Sequence, residues 1–229
     1  MSKFVFIILF GIFVTAYLLR VVFLPQNALT FGYDQARDAY VTGQILSGDL
    51  KILGPPASTP GLYHGVFYYY LLAPAYLLGN GSPIIAAYWI TFLNSLVTFI
   101  VFYLAFLFTR KAGAALVAAL LFAVSFEASQ YATWLSNPTI GVWTVPLFYL
   151  GLWMWLNPPS REASEGQVKK LGPIVTAIGL GLSIQAEVFL LYHLIPLTLW
   201  LWFSRKAVKR GEFLSFFVFL FLSLSTMVV

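Results

Sequence analysis

Along the chain, long runs in which nearly every position is apolar alternate with short segments that collect the polar and charged residues. A helix that is apolar on every face belongs in a bilayer, and about 20 such residues cross the hydrocarbon core. On this reading residues 4–24 form a first span and residues 25–65 a polar loop. Residues 66–79, VFYYYLLAPAYLLG, are apolar but short. Their tyrosines favour the headgroup region, which predicts an interfacial helix. Further spans are expected over 83–108, 112–126 and 139–156, the last closed by Pro158-Pro159, which supply no amide donors. The apolar runs do not alternate with polar positions, as the strands of a membrane β-barrel would.

Residues 172–203 lie between two basic segments, around 161–170 and 205–210. Basic loops mark the cytoplasmic side, so one continuous helix would put the two segments on opposite sides. Two helices of about 15 residues, each about 22 Å long, resolve the conflict as a hairpin with its tip at Gln185, Ala186 and Glu187. The tip also keeps Glu187 away from the bilayer centre, where a charge costs at least about 2.5 kcal/mol. A last span covers 212–229.

The expected fold is therefore an all-α polytopic membrane protein of about seven transmembrane helices. Its N-terminus is inside, and interfacial helices lie in the first outer loop, 25–80. The 25–65 loop, the 127–138 loop and the 185–187 tip share the outer side. The apolar run continues to residue 229, which predicts that residues 1–229 are the N-terminal module of a longer protein.

Composition narrows the class. Of 229 residues, 60% are hydrophobic and 9% charged, against about a quarter charged in soluble domains. The net charge of +5 sits in short loops, so it reads as a topology signal and not as a nucleic-acid footprint. The absence of cysteine excludes disulfides and thiolate metal sites. The N-terminus resembles a signal peptide, but its apolar run is long and lacks a small-residue cleavage site, so it reads as an uncleaved anchor.

The polar loop after the first span places three charges within five residues, in FGYDQARDAY, residues 31–40. If 34–47 is helical, Asp34, Arg37 and Asp38 fall at i, i+3 and i+4 on one face. Such a trio is either a water-facing surface or a carboxylate base beside an anion-binding cation. His64 heads the interfacial helix, as a headgroup-level polar residue, a phosphate partner or a metal ligand. With no second histidine outside a predicted span, no metal site is assigned, and a divalent cation stays open. Tyr68, Tyr69 and Tyr70 read as an interfacial anchor or as rings lining a sugar site. Glu127, Gln130 and Asn137 occupy the second outer loop, where Asn137-Pro138 is also a helix-start signal. Gln185 and Glu187 are candidates because polar groups within an apolar run are functional by default. Arg20 and His193 are expected to snorkel or to hydrogen-bond within the bundle.

The order of an apolar span, YDQARDAYVTGQILSGDL, GPPASTPGLYHGVFYYYLLAPAYLLG and a long span ending in Arg110-Lys111 resembles the polyprenyl-phosphate-sugar-dependent glycosyltransferases of the GT-C fold. Within them it is most similar to the protein-mannosyltransferase-like and aminoarabinose-transferase-like branch. The resemblance covers residues 1–160, and the hairpin more loosely. It implies inverting sugar transfer, on the outer face of the plasma (inner) membrane, from a polyprenyl-phosphate donor to a hydroxyl of a lipid, glycan or protein acceptor. It assigns Asp34 as the catalytic carboxylate; where the family has a second acid this chain has Gln35, and either Asp38 stands in for that acid or no second carboxylate is needed. Arg37, with His64, would take the donor phosphate. Gln35, Tyr68, Asn137, Gln185 and Glu187 would line the substrate site.

A flippase or transporter of lipid-linked sugars and a non-catalytic lipid-binding subunit are the rival classes. Transporters commonly carry internal repeats with interrupted helices at the midplane. No repeat is visible here, and the long charged outer loop suits an enzyme.

Overall fold

The computed structural model of the protein describes residues 2–156, 165–204 and 210–227. Pro158-Pro159, Arg161 and residues 205–209 of the second basic segment lie outside the described residues. Among the described residues all regular structure is helical, with one isolated bridge from Pro56 to Tyr63. The helices are α1 Lys3–Val21, α2 Tyr33–Leu46, α3 Phe67–Leu78, α4 Pro83–Thr109, α5 Ala112–Ala123, α6 Phe126–Thr133, α7 Gly141–Leu156, α8 Glu165–Ala186, α9 Leu194–Ser204 and α10 Arg210–Leu224. Short 3₁₀ turns cover Leu24–Gln26, Asn137–Ile140 and Val188–His193.

Three helical segments are long and apolar enough to cross a membrane: Lys3–Gln26, Pro83–Thr109 and Asn137–Leu156. A fourth is reached if α5 and α6, bent by 52° at their junction, count together. The protein thus has the all-α membrane-spanning character expected, with three to four helices of spanning length among the described residues. The 12 residues of α3 reach about 18 Å, too short to cross, as the tyrosine-rich interfacial reading requires. The apolar run of 172–203 breaks at Glu187, whose backbone is extended (φ −153°, ψ 121°).

The chain forms two compact units, one of residues 1–51 and 68–142 and the other of residues 52–67 and 143–229. In the first, α1, α4 and α5 meet through Leu9, Ile12, Ala16, Phe102, Ala115, Ala119 and Ala123. The three alanines recur every four residues on one stripe of α5. Small residues let helix backbones approach where lipid gives helices no hydrophobic reason to associate. Phe4, Ile7 and Leu18 on α1 stay exposed, as lipid-facing positions do.

The α5–α6 bend has a local cause and a distant support. Ser125 caps α6, its hydroxyl accepting the Ala128 N–H at 3.2 Å. Ending α5 there leaves its last carbonyls without helical partners. Arg20, 2% exposed, supplies them. Its Nη1 donates to the carbonyls of Ala16 (2.8 Å) and Ala123 (3.0 Å), and its Nη2 to that of Phe122 (3.1 Å). The guanidinium carbon also stands 5.0 Å from the Phe122 ring centroid. Of the two expectations for this residue, hydrogen bonding within the bundle is what occurs. Arg20→Met keeps the apolar stem but leaves the buried Ala123 carbonyl without its donor, at about 1–3 kcal/mol for an unsatisfied group. Relief from burying a charge offsets part of that cost. The expected net loss of about 1–3 kcal/mol lowers the thermal midpoint by several degrees in lipid nanodiscs; an unchanged midpoint would mean that Arg20 only fills space.

In the second unit, α7 and α8 approach closely. A Cβ on Gly151 would collide with the Thr176 backbone, and one on Gly179 would lie 2.5 Å from the Phe148 nitrogen. Phe148, Leu152 and Trp155 of α7, Ala177, Leu180 and Ile184 of α8, and Phe216 of α10 form its core. Polar bonds tie the same helices: Ser183 Oγ donates to Thr144 Oγ1 at 2.9 Å, and Trp155 Nε1 to Glu212 Oε2 at 3.2 Å. His193 Nδ1 and the Tyr149 hydroxyl are 3.0 Å apart.

Candidate functional site

The acid–base cluster is built by the first turns of α2. Gly32 is the N-cap, and Gln35 reaches back so that its Oε1 accepts the Gly32 N–H at 2.9 Å. Gln35 therefore occupies the third helical position of a capping arrangement, where Glu or Gln is favoured. It is 6% exposed and its carbonyl oxygen is committed to the backbone. Asp34 follows the first helical residue, near unpaired N–H groups that favour a carboxylate.

Arg37 joins both carboxylates. Its Nη1 donates to Asp34 Oδ1 at 2.7 Å, while Nε and Nη2 both donate to Asp38 Oδ1, at 2.9 and 2.8 Å. The i, i+3, i+4 face expected from the sequence is present, and it is asymmetric. The Asp34 side chain is 58% exposed, Arg37 18% and Asp38 1%. Asp38 Oδ2 is buried without a hydrogen-bond partner.

The walls around Asp38 come from α3. Tyr68, Tyr69 and Tyr76 are all buried, and their hydroxyls interact with the Asp38 charge. Burial, reinforced by that charge, pushes Tyr69 and Tyr76 up to about 12 and Tyr68 well above its ordinary value. All three remain neutral donors at physiological pH. The Tyr68 hydroxyl is buried with no hydrogen-bond partner. The reading of 68–70 as a headgroup anchor is corrected for Tyr68 and Tyr69, since their rings face protein; Tyr70 is 36% exposed and its hydroxyl donates to the Lys51 carbonyl at 2.8 Å. Tyr76 was not among the expected site residues. The buried positions of α3, Tyr68, Tyr69, Leu72, Ala75 and Tyr76, follow the i, i+1, i+4, i+7, i+8 stripe of a helix face, a signal present in the sequence.

Burial is the largest influence on Asp38 and raises its pKa; the Arg37 charge and hydrogen bonds oppose it and the Asp34 charge adds to it, leaving the value at about 6. Burial also disfavours the Arg37 cation, but Asp38, Tyr69 and Asp34 outweigh this and hold its pKa above the ordinary value. Arg37 is therefore a fixed charge and Asp38 a titrating one. The folded state binds a proton at Asp38 more tightly than the unfolded chain, so this carboxyl makes stability fall as pH rises from about 4 to about 6. A rise from 3.8 to about 6 corresponds to a change on the order of 3 kcal/mol. Thermal midpoints measured across that window are expected to fall with pH in the wild type and to flatten in Asp38→Asn. An equal slope in both proteins would show that other groups set the dependence.

Shallow cavities flank α2. One, of about 280 Å³, is lined by residues that include Gly43, Leu46, Tyr76 and Leu77, and another, of about 470 Å³, by residues that include Tyr40, Gly43 and Gln44. Leu46 and Leu77 are exposed there.

The other expected residues do not join this cluster within the first unit, except that Asn137 belongs to the same unit, 5% exposed at the start of its 3₁₀ turn. His64, Gln185 and Glu187 belong to the second unit. There the His64 N–H donates to the Pro55 carbonyl at 2.8 Å. Gln185 is a tie between segments: its backbone carbonyl accepts the Gly65 N–H at 3.0 Å, its Oε1 accepts the Phe67 N–H at 3.3 Å, and its Nε2 donates to the Ser223 carbonyl. A Cβ on Gly65 would overlap the Gln185 side chain and displace it from these bonds. Glu187 is half-buried, and its N–H donates to the Ser183 carbonyl at 3.0 Å.

Among the described residues no group of three or more His, Asp or Glu side chains is arranged to hold a metal ion. The chain matches no protein-family model, no curated protein and no solved structure.

Proposed function

We propose that this chain is a membrane glycosyltransferase module of the GT-C type. It moves a sugar with inversion from a polyprenyl-phosphate donor to an acceptor hydroxyl on the extracytoplasmic face. The observation that carries the reading is one guanidinium holding two unlike carboxylates, Asp34 open to solvent and Asp38 buried. Inversion by single displacement needs one base on the acceptor hydroxyl, and Asp34 is the accessible carboxylate. A phosphate leaving group needs little protonation but does need positive charge, and Arg37 is the cation at hand. Arg37 uses three N–H groups on the carboxylates, and a guanidinium has five.

With both carboxylates ionised the trio carries a net charge of −1. An approaching phosphate therefore favours the protonated form of Asp38, whose pKa already stands at about 6. Proton uptake at Asp38 makes the trio neutral without disturbing Asp34. The smaller cavity along α2, with Leu46 and Leu77 exposed in its wall, suits a donor whose sugar is carried on a lipid chain.

The seven-span topology belongs to the same reading, with residues 25–65, 127–138 and 185–187 outside. The test is transfer itself. The purified protein in lipid nanodiscs, given polyprenyl-phosphate sugars, should release free polyprenyl phosphate only when an acceptor hydroxyl is present. Movement of intact lipid-linked sugar across vesicles with no bond broken would replace the transferase by a transporter.

A further inference from the structure

The first unit carries a further cavity, of about 410 Å³, whose lining includes no residue of the acid–base cluster. It is lined by Thr30, Glu127, Gln130, Tyr131, Thr133 and Trp134. Its size falls within the range of about 300–1,000 Å³ usual for small-ligand sites. α6 is amphipathic in the opposite sense to a membrane span: Ala128 and Ala132 face inward while Glu127, Gln130 and Tyr131 face the cavity.

Two features give the cavity its chemistry. The first is aromatic: the Tyr131 and Trp134 rings stand 5.6 Å apart between centroids, inclined at 43°. Both residues are exposed, 41% for Tyr131 and 40% for Trp134, and both line the cavity. The second is polar. Among the described residues Glu127 makes no ion pair, and the Thr133 hydroxyl is spent on the Gln130 carbonyl at 3.2 Å. A carboxylate and a carboxamide one helical turn apart thus lie beside two exposed aromatic residues, with no cation in the lining among the described residues.

We propose that this cavity is a saccharide-binding site. The C–H face of a pyranose is weakly positive and matches the negative face of an aromatic ring, which Trp134 and Tyr131 supply. The rim hydroxyls of a sugar both donate and accept. Glu127 accepts from them, and Gln130 can do either. A neutral pyranose ring uses both features at once; a lipid phosphate would meet Glu127 repulsively. The inference goes beyond the transferase reading, because binding here requires neither Asp34 nor Arg37.

The test uses the purified protein in lipid nanodiscs, free of sugar-headed detergents. Saturation-transfer NMR is recorded with the methyl glycosides of glucose, galactose, mannose and N-acetylglucosamine. At least one should bind saturably, with transfer strongest to the C–H protons of one ring face. Trp134→Ala should weaken that binding roughly tenfold or more, the scale of a lost aromatic contact, while Trp134→Phe retains most of it. Glu127→Gln should weaken it with a folded far-UV spectrum. Asp34→Asn, which removes transfer under the proposed function, should leave it intact. Saturable binding without transfer under any condition would therefore sink the transferase reading alone. The saccharide site is overturned if no glycoside saturates, if binding survives Trp134→Ala, or if phosphocholine occupies the cavity where the glycosides do not, since an acid beside two rings also attracts a quaternary ammonium.

Discussion

Arg37→Met is expected to be the most destabilising single change in the first unit, by about 3–5 kcal/mol near neutral pH. The reason is Asp38. Its carboxylate is 1% exposed and its only ion-pair partner among the described residues is Arg37. Removing one member of a buried pair leaves an uncompensated charge, which costs more than the pair contributes when intact. Asp34, 58% exposed, loses little, since exposed pairs contribute about 0–1 kcal/mol.

The direction with pH separates this account from a simple loss of packing. In the wild type Asp38 already titrates at about 6, and loss of the Arg37 charge and hydrogen bonds moves its pKa further up. Below that value Asp38 is neutral in both proteins, so the deficit of Arg37→Met should shrink as pH falls from 7 toward 5. Arg37→Met/Asp38→Asn should regain much of the loss at pH 7. Thermal midpoints in nanodiscs at the two pH values measure both effects. A deficit independent of pH and not rescued by the second change would mean that Asp38 is not the group that suffers. Arg37→Lys should sit between, because an ammonium cannot span two carboxylates with the geometry of a planar fork.

The parts of this cluster legible in the sequence are those that depend on local geometry. Asp34, Arg37 and Asp38 meet because i, i+3 and i+4 are neighbours on any helix. What could not be read was which carboxylate is buried, since α3 buries Asp38 from about 30 residues away in the chain. Gln35 was read only against a family motif, as an amide where an acid is usual, and its place three residues after Gly32, which marks a helix cap, went unread. Tyr68 and Tyr69 were read through the tendency of aromatic rings to sit at headgroups, which hid the helical stripe that runs through Tyr76.

The span pattern divides in the same way. Long uninterrupted runs gave α1, α4 and α7 close to their limits. The run at 112–126 hid a break, because Ser125 is one polar residue among apolar ones and hydropathy averages over it. The support for that break, Arg20 on the Phe122 and Ala123 carbonyls, joins residues more than 100 positions apart, 102 and 103 respectively. No local pattern carries such a contact. Glu187 was easier, since a charge inside an apolar run had to mark an interruption, and the helix does end beside it.

Asp34→Asn separates catalysis from stability. The substitution keeps the shape of the side chain and a hydrogen-bond acceptor for Arg37 Nη1, and removes the negative charge. Because the side chain is 58% exposed, the fold should tolerate it, with a stability change within about 1 kcal/mol. Transfer should instead fall by about 10²–10⁴-fold, the usual contribution of a positioned general base. Donor binding should be retained, and even tightened, since the trio loses a negative charge facing the phosphate. Asp38 cannot easily take over: its free oxygen is buried, so an acceptor hydroxyl reaches it only if α2 and α3 separate. The decisive comparison is acceptor-dependent release of polyprenyl phosphate by wild type, Asp34→Asn and Asp38→Asn at one pH. Loss in the first with donor binding intact assigns the base to Asp34. Wild-type turnover in Asp34→Asn, with loss in Asp38→Asn, would move the chemistry to the buried carboxyl and require an opening of the α2–α3 contact that the folded structure holds shut.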